Sequence, residues 1–188
     1  MNISKQAWAL VGAVAVITGI SGFMVGQVQT PEYRFSMYDK NTMNLGRADR
    51  LFDLRYLNAM IAHHRGALLL AKQAEESTRV EIRELAAAIQ AGEPKLIAEL
   101  YAWKKDWYDD ERTVCDPVVA QLGPVNETFD LRFLNALIAH HEAGILMTEE
   151  TRRKSSRSEV LDNADAVEHF LRTSGEQLKA WRLAWYQQ

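Results

Sequence analysis

The sequence predicts an all-α protein: an N-terminal transmembrane helix followed by a four-helix bundle built from two repeated helical hairpins. Three observations predict it. Residues 8–28 run without a single charge. A twelve-residue segment recurs almost unchanged 77 positions later. Only four Pro and ten Gly interrupt the 188 residues, and the middle of the chain is rich in Ala, Leu, Glu and Arg, which form helices readily.

Composition excludes several classes. At 47% hydrophobic and 25% charged residues the chain is ordinary globular protein, not a disordered, collagen-like or disulfide-dense one. A net charge of −3 gives no basic excess for nucleic acid. The lone Cys115 rules out an intrachain disulfide, a four-thiolate zinc site and an iron–sulfur cluster held by this chain alone.

Residues 1–30 read as a transmembrane signal anchor. The uncharged run is long enough to span about 30 Å of hydrocarbon as a helix, and longer than the roughly 7–15 residues of a usual signal-peptide core. The small-x-small match Gly19-Ile20-Ser21 lies inside that run, so a cleaved signal is the lesser alternative. Lys5 precedes the span, and Glu32 and Arg34 follow it. The positive-inside rule then favours a single-pass plasma-membrane protein with a cytoplasmic N-terminus and the bundle in the periplasm or outside. Residues 31–48 form a stalk or an arm laid on the domain. Pro31, Asn41, Asn44 and Gly46 punctuate it, and Tyr33, Phe35 and Tyr38 suit docking.

The bundle spans 49–188. Asp53-Leu-Arg-Tyr-Leu-Asn-Ala-Met-Ile-Ala-His-His64 returns as Asp130-Leu-Arg-Phe-Leu-Asn-Ala-Leu-Ile-Ala-His-His141, and Trp103-x-x-x-Trp107-Tyr108 returns as Trp181-x-x-x-Trp185-Tyr186. Repeat one covers 49–110 and repeat two 126–187. Apolar positions spaced by three and four give helices over 49–76 and 126–153, with Asp49 and Asn126 as N-caps. Second helices follow over 79–110 and 158–187. Gly92-Glu93-Pro94 is expected to kink or break the first of these, and Gly175 to weaken the other. Cys115, Pro117, Gly123 and Pro124 mark the connection between hairpins. The paired tryptophans are expected in the core at the bundle ends. One hairpin alone cannot bury its apolar stripe, so the two pack together about a pseudo-twofold axis.

The chemistry candidates are His63, His64, His140 and His141, near the middle of the two first helices. Midpoints of helices related by a twofold axis lie at one height, so four imidazoles can converge inside the bundle. Imidazole is the commonest protein metal ligand, and a thioether selects soft ions. Met60 stands three residues before His63, on one helix face with it, and Met147 two turns after His140. The alternative is structural: buried histidines bonded to a carboxylate or carbonyl, with Asp53, Asp130, Asn58 and Asn135 as candidate partners. A dinuclear iron carboxylate site is a poor reading despite the bundle, because no histidine has a Glu three residues before it.

At these residues the chain resembles the bacterial family catalogued as domain of unknown function 305, a ferritin-like helical bundle. Its mark is Met-x-x-His-His-x-x-Ala-x-x-Met-Ala, often duplicated. The resemblance runs over about residues 49–188. Met60, His63 and His64 match the first motif, with Leu70 at its later methionine. His140, His141 and Met147 match the second, with Leu137 at its leading methionine. Second helices of the family carry Gln and Glu before a Met and a Trp. Here those places hold Glu93, Leu96 and Leu100, then Leu171, Ser174 and Leu178. Some members look like periplasmic copper-binding proteins, so the resemblance implies a copper ion as the candidate metal. With several soft ligands absent, it implies a small residual site or a bundle kept for its shape.

Two functions from different classes follow. One is a membrane-anchored, periplasm-facing bundle that binds copper or a similar transition metal through the paired histidines, for buffering or delivery and not as an enzyme. The other is a non-enzymatic accessory subunit of a larger membrane protein complex, with structural histidines.

Overall fold

The computed structural model describes residues 44–188. The expected anchor over 1–30 and most of the arm over 31–48 lie outside the described residues. No helix among the described residues is long and apolar enough to cross a membrane.

Four helices follow one another: α1 (Phe52–Ala74), α2 (Val80–Tyr108), α3 (Phe129–Lys154) and α4 (Ser158–Tyr186). At about 1.5 Å per residue the longer helices extend roughly 43 Å. α1 packs along α2 and α3 along α4, and the two hairpins meet through α1 and α3. That central pair is antiparallel. Asp53 at the start of α1 bonds Ser155 just past the end of α3, and Ser77 just past the end of α1 bonds Asp130 at the start of α3.

The helices start later than the sequence suggests. Asp49 and Asn126 are not N-caps; those places are held by Leu51 and Thr128. Each instead accepts the backbone amide two residues on, from Leu51 and Thr128, and a tight turn leads into the helix. Short polar side chains form such local turns readily. Nor does Pro94 break α2, which runs through it. Pro94 is exposed, so the carbonyl it frees can be met by water. Gly175 likewise lies inside an unbroken α4.

The repeat also reaches further back than residue 49. Leu45 and Leu122 are both buried, 77 positions apart, and each is followed by a glycine in the left-handed region, Gly46 at φ 84° and Gly123 at φ 69°. Arg55 Nε donates to the Leu45 carbonyl and Arg132 Nε to the Leu122 carbonyl, both at 2.5 Å. The arm is thus tied to the bundle from Leu45 onward.

Two apolar clusters fill the interior. One gathers Leu70, Ala74, Ile82, Phe129, Phe133 and Leu178 towards one end; the other gathers Phe52, Tyr56, Leu57, Leu100, Met147 and Val160 towards the opposite end. The tryptophan pairs stack in parallel, Trp103 on Trp107 at 5.2 Å and Trp181 on Trp185 at 5.3 Å. They are half-buried against these clusters rather than sealed inside them. Between the two clusters, at mid-height of α1 and α3, lies the histidine layer.

Candidate metal centre

All four repeated histidines are buried. His63 on α1 and His140 on α3 face each other across the pseudo-twofold axis, ring centroids 3.8 Å apart and planes tilted by 35°. His63 Nε2 lies 3.2 Å from the His140 carbonyl, and His140 Nε2 lies 3.0 Å from the His63 carbonyl. A carbonyl oxygen only accepts, so both Nε2 atoms carry the proton and both Nδ1 atoms are left as bare acceptors. Neither Nδ1 has a partner.

His64 and His141 flank this pair on opposite sides, their rings 5.9 Å and 5.8 Å from those of His63 and His140. Here the repeats diverge. His64 Nδ1 meets the Glu93 carboxylate of α2 at 2.5 Å, while its Nε2 is buried without a partner. His141 has no such carboxylate: with the second helices aligned at an offset of 78, the counterpart of Glu93 is Leu171. His141 Nδ1 also lacks a hydrogen-bond partner. The expected polar partners serve elsewhere. Asp53 and Asp130 bind the loop serines Ser155 and Ser77, Asn135 accepts from Arg182, and the Asn58 oxygen is unpartnered.

Burial sets the electrostatics. It pushes His63 well below its ordinary value, reinforced by the neighbouring imidazoles of His140 and His64. Burial also pushes His140 down to about 4, against the opposing pull of the His63 carbonyl. His141 falls to about 3 by burial, with His140 beside it adding to the drop. These three imidazoles are therefore neutral at physiological pH, the state in which a histidine ligates metal.

Met60 and Met147 are buried in the same apolar cluster. The α1–α3 register that sets Asp53 against Ser155 also puts Met60 and Met147 at one height, just off the histidine layer. The same register sets His63 opposite Gly144. A Cβ there would come within 2.5 Å of His63 Nε2, so the glycine makes room for the ring.

The donors suit a soft, low-coordinate ion better than a hard one. Among the described residues no three His, Cys, Asp or Glu side chains form one metal-sized group. What the layer offers is imidazole nitrogens with unpartnered lone pairs and two nearby thioethers, the ligand types that select Cu(I)-like ions. Leaving a buried polar atom unpaired costs about 1–3 kcal/mol. A layer with an unpartnered nitrogen on each of four histidines is thus poorly explained by stability alone. Glu93 is the member of this layer that the local sequence pattern does not announce. A hairpin turning near Ser77 brings residue 64 level with residues near 90, and that symmetry is the signal which points to it.

No curated protein matches the chain. Several solved structures share the fold. CopM in the Cu(I)-bound form is 24% identical, with a TM-score of 0.64 over 71% of this chain and 97% of that chain. CopM in the Ag-bound form is also 24% identical, with a TM-score of 0.63 over the same shares. CopM in the Cu(II)-bound form is 21% identical, with a TM-score of 0.61. Residues 53–117, which hold the first His-His helix, its hairpin partner and Glu93, match the family described as Domain of unknown function (DUF305).

Proposed function

We propose that this chain is a membrane-anchored, periplasm-facing bundle protein that binds copper, or a similar transition metal ion, through its paired histidines. Its role is binding, buffering or delivery rather than catalysis. The observation that carries this reading is the layer of four buried imidazoles, each with a nitrogen that has no partner. Three of these rings are held neutral by burial. Neutral imidazole is ready to ligate without first losing a proton. Met60 and Met147 add soft donors beside the layer. The fold is shared with CopM, whose solved forms carry Cu(I), Cu(II) and silver. The uncharged run over 8–28 supports the anchor, and Lys5 before it supports the orientation.

The test is metal titration of the purified full chain in detergent with Cu(I), Cu(II) and Zn(II), together with elemental analysis of the protein as isolated. Cu(I) uptake near one ion per chain, lost when His63 and His64 are both replaced by Phe, is the expected result. No uptake at micromolar metal overturns the proposal. Retention in membranes after a high-salt wash, with an intact N-terminus by mass, tests the anchor separately.

A second reading rests on the reciprocal bonds between His63 and His140, which tie the two hairpins together without any metal. In that reading the chain is a non-enzymatic accessory subunit of a membrane protein complex. Co-purification of a stoichiometric partner in mild detergent, with no bound metal, would favour it.

A further inference from the structure

The two repeats differ at the one place where their symmetry would make two equal histidine sites. With the second helices aligned at an offset of 78, Glu93 corresponds to Leu171 and Ile97 to Gly175. In repeat one, Glu93 closes onto His64 and Ile97 packs against the apolar cluster around Tyr56 and Leu100. In repeat two, a cavity of about 300 Å³ opens to solvent between α3 and α4; Ile138, His141, Ile145, Leu171 and Gly175 line it together with the charged Glu142, Arg172, Glu176 and Lys179. A Cβ at Gly175 would have only His141 Cδ2 within 4 Å, at 3.9 Å. The missing side chain is what leaves the space above that imidazole.

The four rings form a row across the bundle. From the cavity inward the order is His141, His140, His63, His64, with centroids 5.8, 3.8 and 5.9 Å apart. The row ends on the Glu93 carboxylate.

We propose that the cavity over His141 is the entrance through which a soft monovalent metal ion reaches this row, and that the ion comes to rest at the His64–Glu93 end. Repeat two admits and repeat one holds. The inference rests on the metal-binding reading above and adds to it a direction and a resting place that includes Glu93. The physical ground is charge. A cation taken out of water is costly unless an opposite charge accompanies it. At the cavity the carboxylates of Glu142 and Glu176 both pair with Lys179, at 3.8 and 3.7 Å, so an ion beside His141 finds its counter-charge already matched and passes on. At His64 the carboxylate lies within hydrogen-bond reach of the ring, and supplies the counter-charge. Transfer along the row is ligand exchange between imidazole nitrogens; no electron moves and no covalent bond within the protein breaks.

The test uses the full chain in detergent and Cu(I) supplied from a coloured chelator, so that uptake is read by stopped-flow absorbance. Gly175→Ile installs the bulk that repeat one already carries at the corresponding position, and is expected to slow uptake at least tenfold while final occupancy reaches the wild-type value. Should this variant lose helicity, Gly175→Val tests the same point with less bulk. Glu93→Leu, the residue of repeat two, is expected to speed release to the chelator at least tenfold. Wild-type uptake rates in both glycine variants overturn the entrance while leaving copper binding in place, and unchanged release from Glu93→Leu overturns the resting place. Failure of the wild type to take up Cu(I) overturns the metal-binding reading and this inference together.

Discussion

His63 and His140 each donate to the other's backbone carbonyl, at 3.2 and 3.0 Å, with their rings in contact at 3.8 Å. One residue from each repeat thus supplies both a side-chain donor and a main-chain acceptor. Replacing either by Ala removes a ring and its own donor, but leaves its carbonyl in place, so the other's Nε2–H keeps its main-chain acceptor. Each single variant is expected to lose about 3 kcal/mol, from the cavity and the lost hydrogen bond combined. The double variant should lose less than the sum, by about 1–2 kcal/mol, because the first change already removes the contact between the two rings. Chemical denaturation of the full chain followed by helicity gives all three values. Strict additivity would mean that the two rings act independently.

The same burial makes stability depend on pH. His63, His140 and His141 have folded-state values below the ordinary one near 6.5, with His140 at about 4 and His141 at about 3. Above pH 6.5 the three are neutral whether the chain is folded or not, and nothing is lost. As pH falls below 6.5 the unfolded chain takes up protons that the folded chain refuses, so stability drops until the folded values are reached. The slope is at most about 1.4 kcal/mol per pH unit for each group. Unfolding at pH 5 should therefore be accompanied by net proton uptake, measured by calorimetry in buffers of different ionisation enthalpy. Absence of uptake at that pH would show these imidazoles to be solvated.

Much of this arrangement is legible in the sequence, because duplication is a pattern that no local ambiguity can hide. The repeated Asp-Leu-Arg…His-His segments place both histidine pairs at the middle of paired helices, and His63 and His140 do meet. Other features are less legible, for particular reasons. Pro94 suggests a break, but its exposed position lets α2 continue. Asp49 and Asn126 look like caps but act two residues before the cap positions, since Asx turns and N-caps draw on the same short side chains. His64 and His141 close the same Ile-Ala-His-His run on their own helices, which does not distinguish them. What separates them is Glu93 against Leu171, on other helices and on opposite sides of the bundle, and no helical periodicity contains that difference.

Two further carboxylates hold the ends. Asp130 accepts from Ser77 Oγ at 2.5 Å and pairs with Arg79 at 3.3 Å; Asp53 accepts from Ser155 Oγ at 2.7 Å and pairs with Arg157 at 3.6 Å. Each arginine also lies over a tryptophan, Arg79 over Trp185 and Arg157 over Trp107. Asp130 is the more buried of the two. Asp130→Ala is expected to cost about 2 kcal/mol and Asp53→Ala about 1 kcal/mol, from the serine and arginine partners left behind. The two sites lie on the order of 35 Å apart along α1, so the double variant should equal the sum to within about 0.5 kcal/mol. Thermal or denaturant unfolding of the four proteins decides it. A coupling well above that margin would mean that the two ends of the bundle communicate.

Gly144 and Gly175 both sit inside helices of repeat two, yet the same substitution should move stability in opposite directions. A Cβ at Gly144 would come within 2.5 Å of His63 Nε2 and within 2.5 Å of Leu171 Cδ1. The His63 ring cannot retreat freely, since it is held between the His140 carbonyl and the His140 ring. Gly144→Ala is therefore an overpacking change, expected to cost about 1–3 kcal/mol. It should also disturb the His63–His140 pair, visible as shifted imidazole resonances of both residues by NMR. At Gly175 a Cβ meets only His141 Cδ2, at an ordinary contact distance of 3.9 Å. There the helix-interior preference for Ala over Gly applies undiminished, and Gly175→Ala should gain about 1 kcal/mol. Repeat one carries Ala67 where repeat two has Gly144 and Ile97 where repeat two has Gly175, so its own surroundings accept the bulk at both corresponding positions. The difference at 144 comes from Leu171, which leans on it from α4 where repeat one has Glu93 turned towards His64. Gly144→Ala combined with Leu171→Ala should accordingly recover part of the loss. A Gly144→Ala protein as stable as the parent would show that His63 has room the structure does not give it.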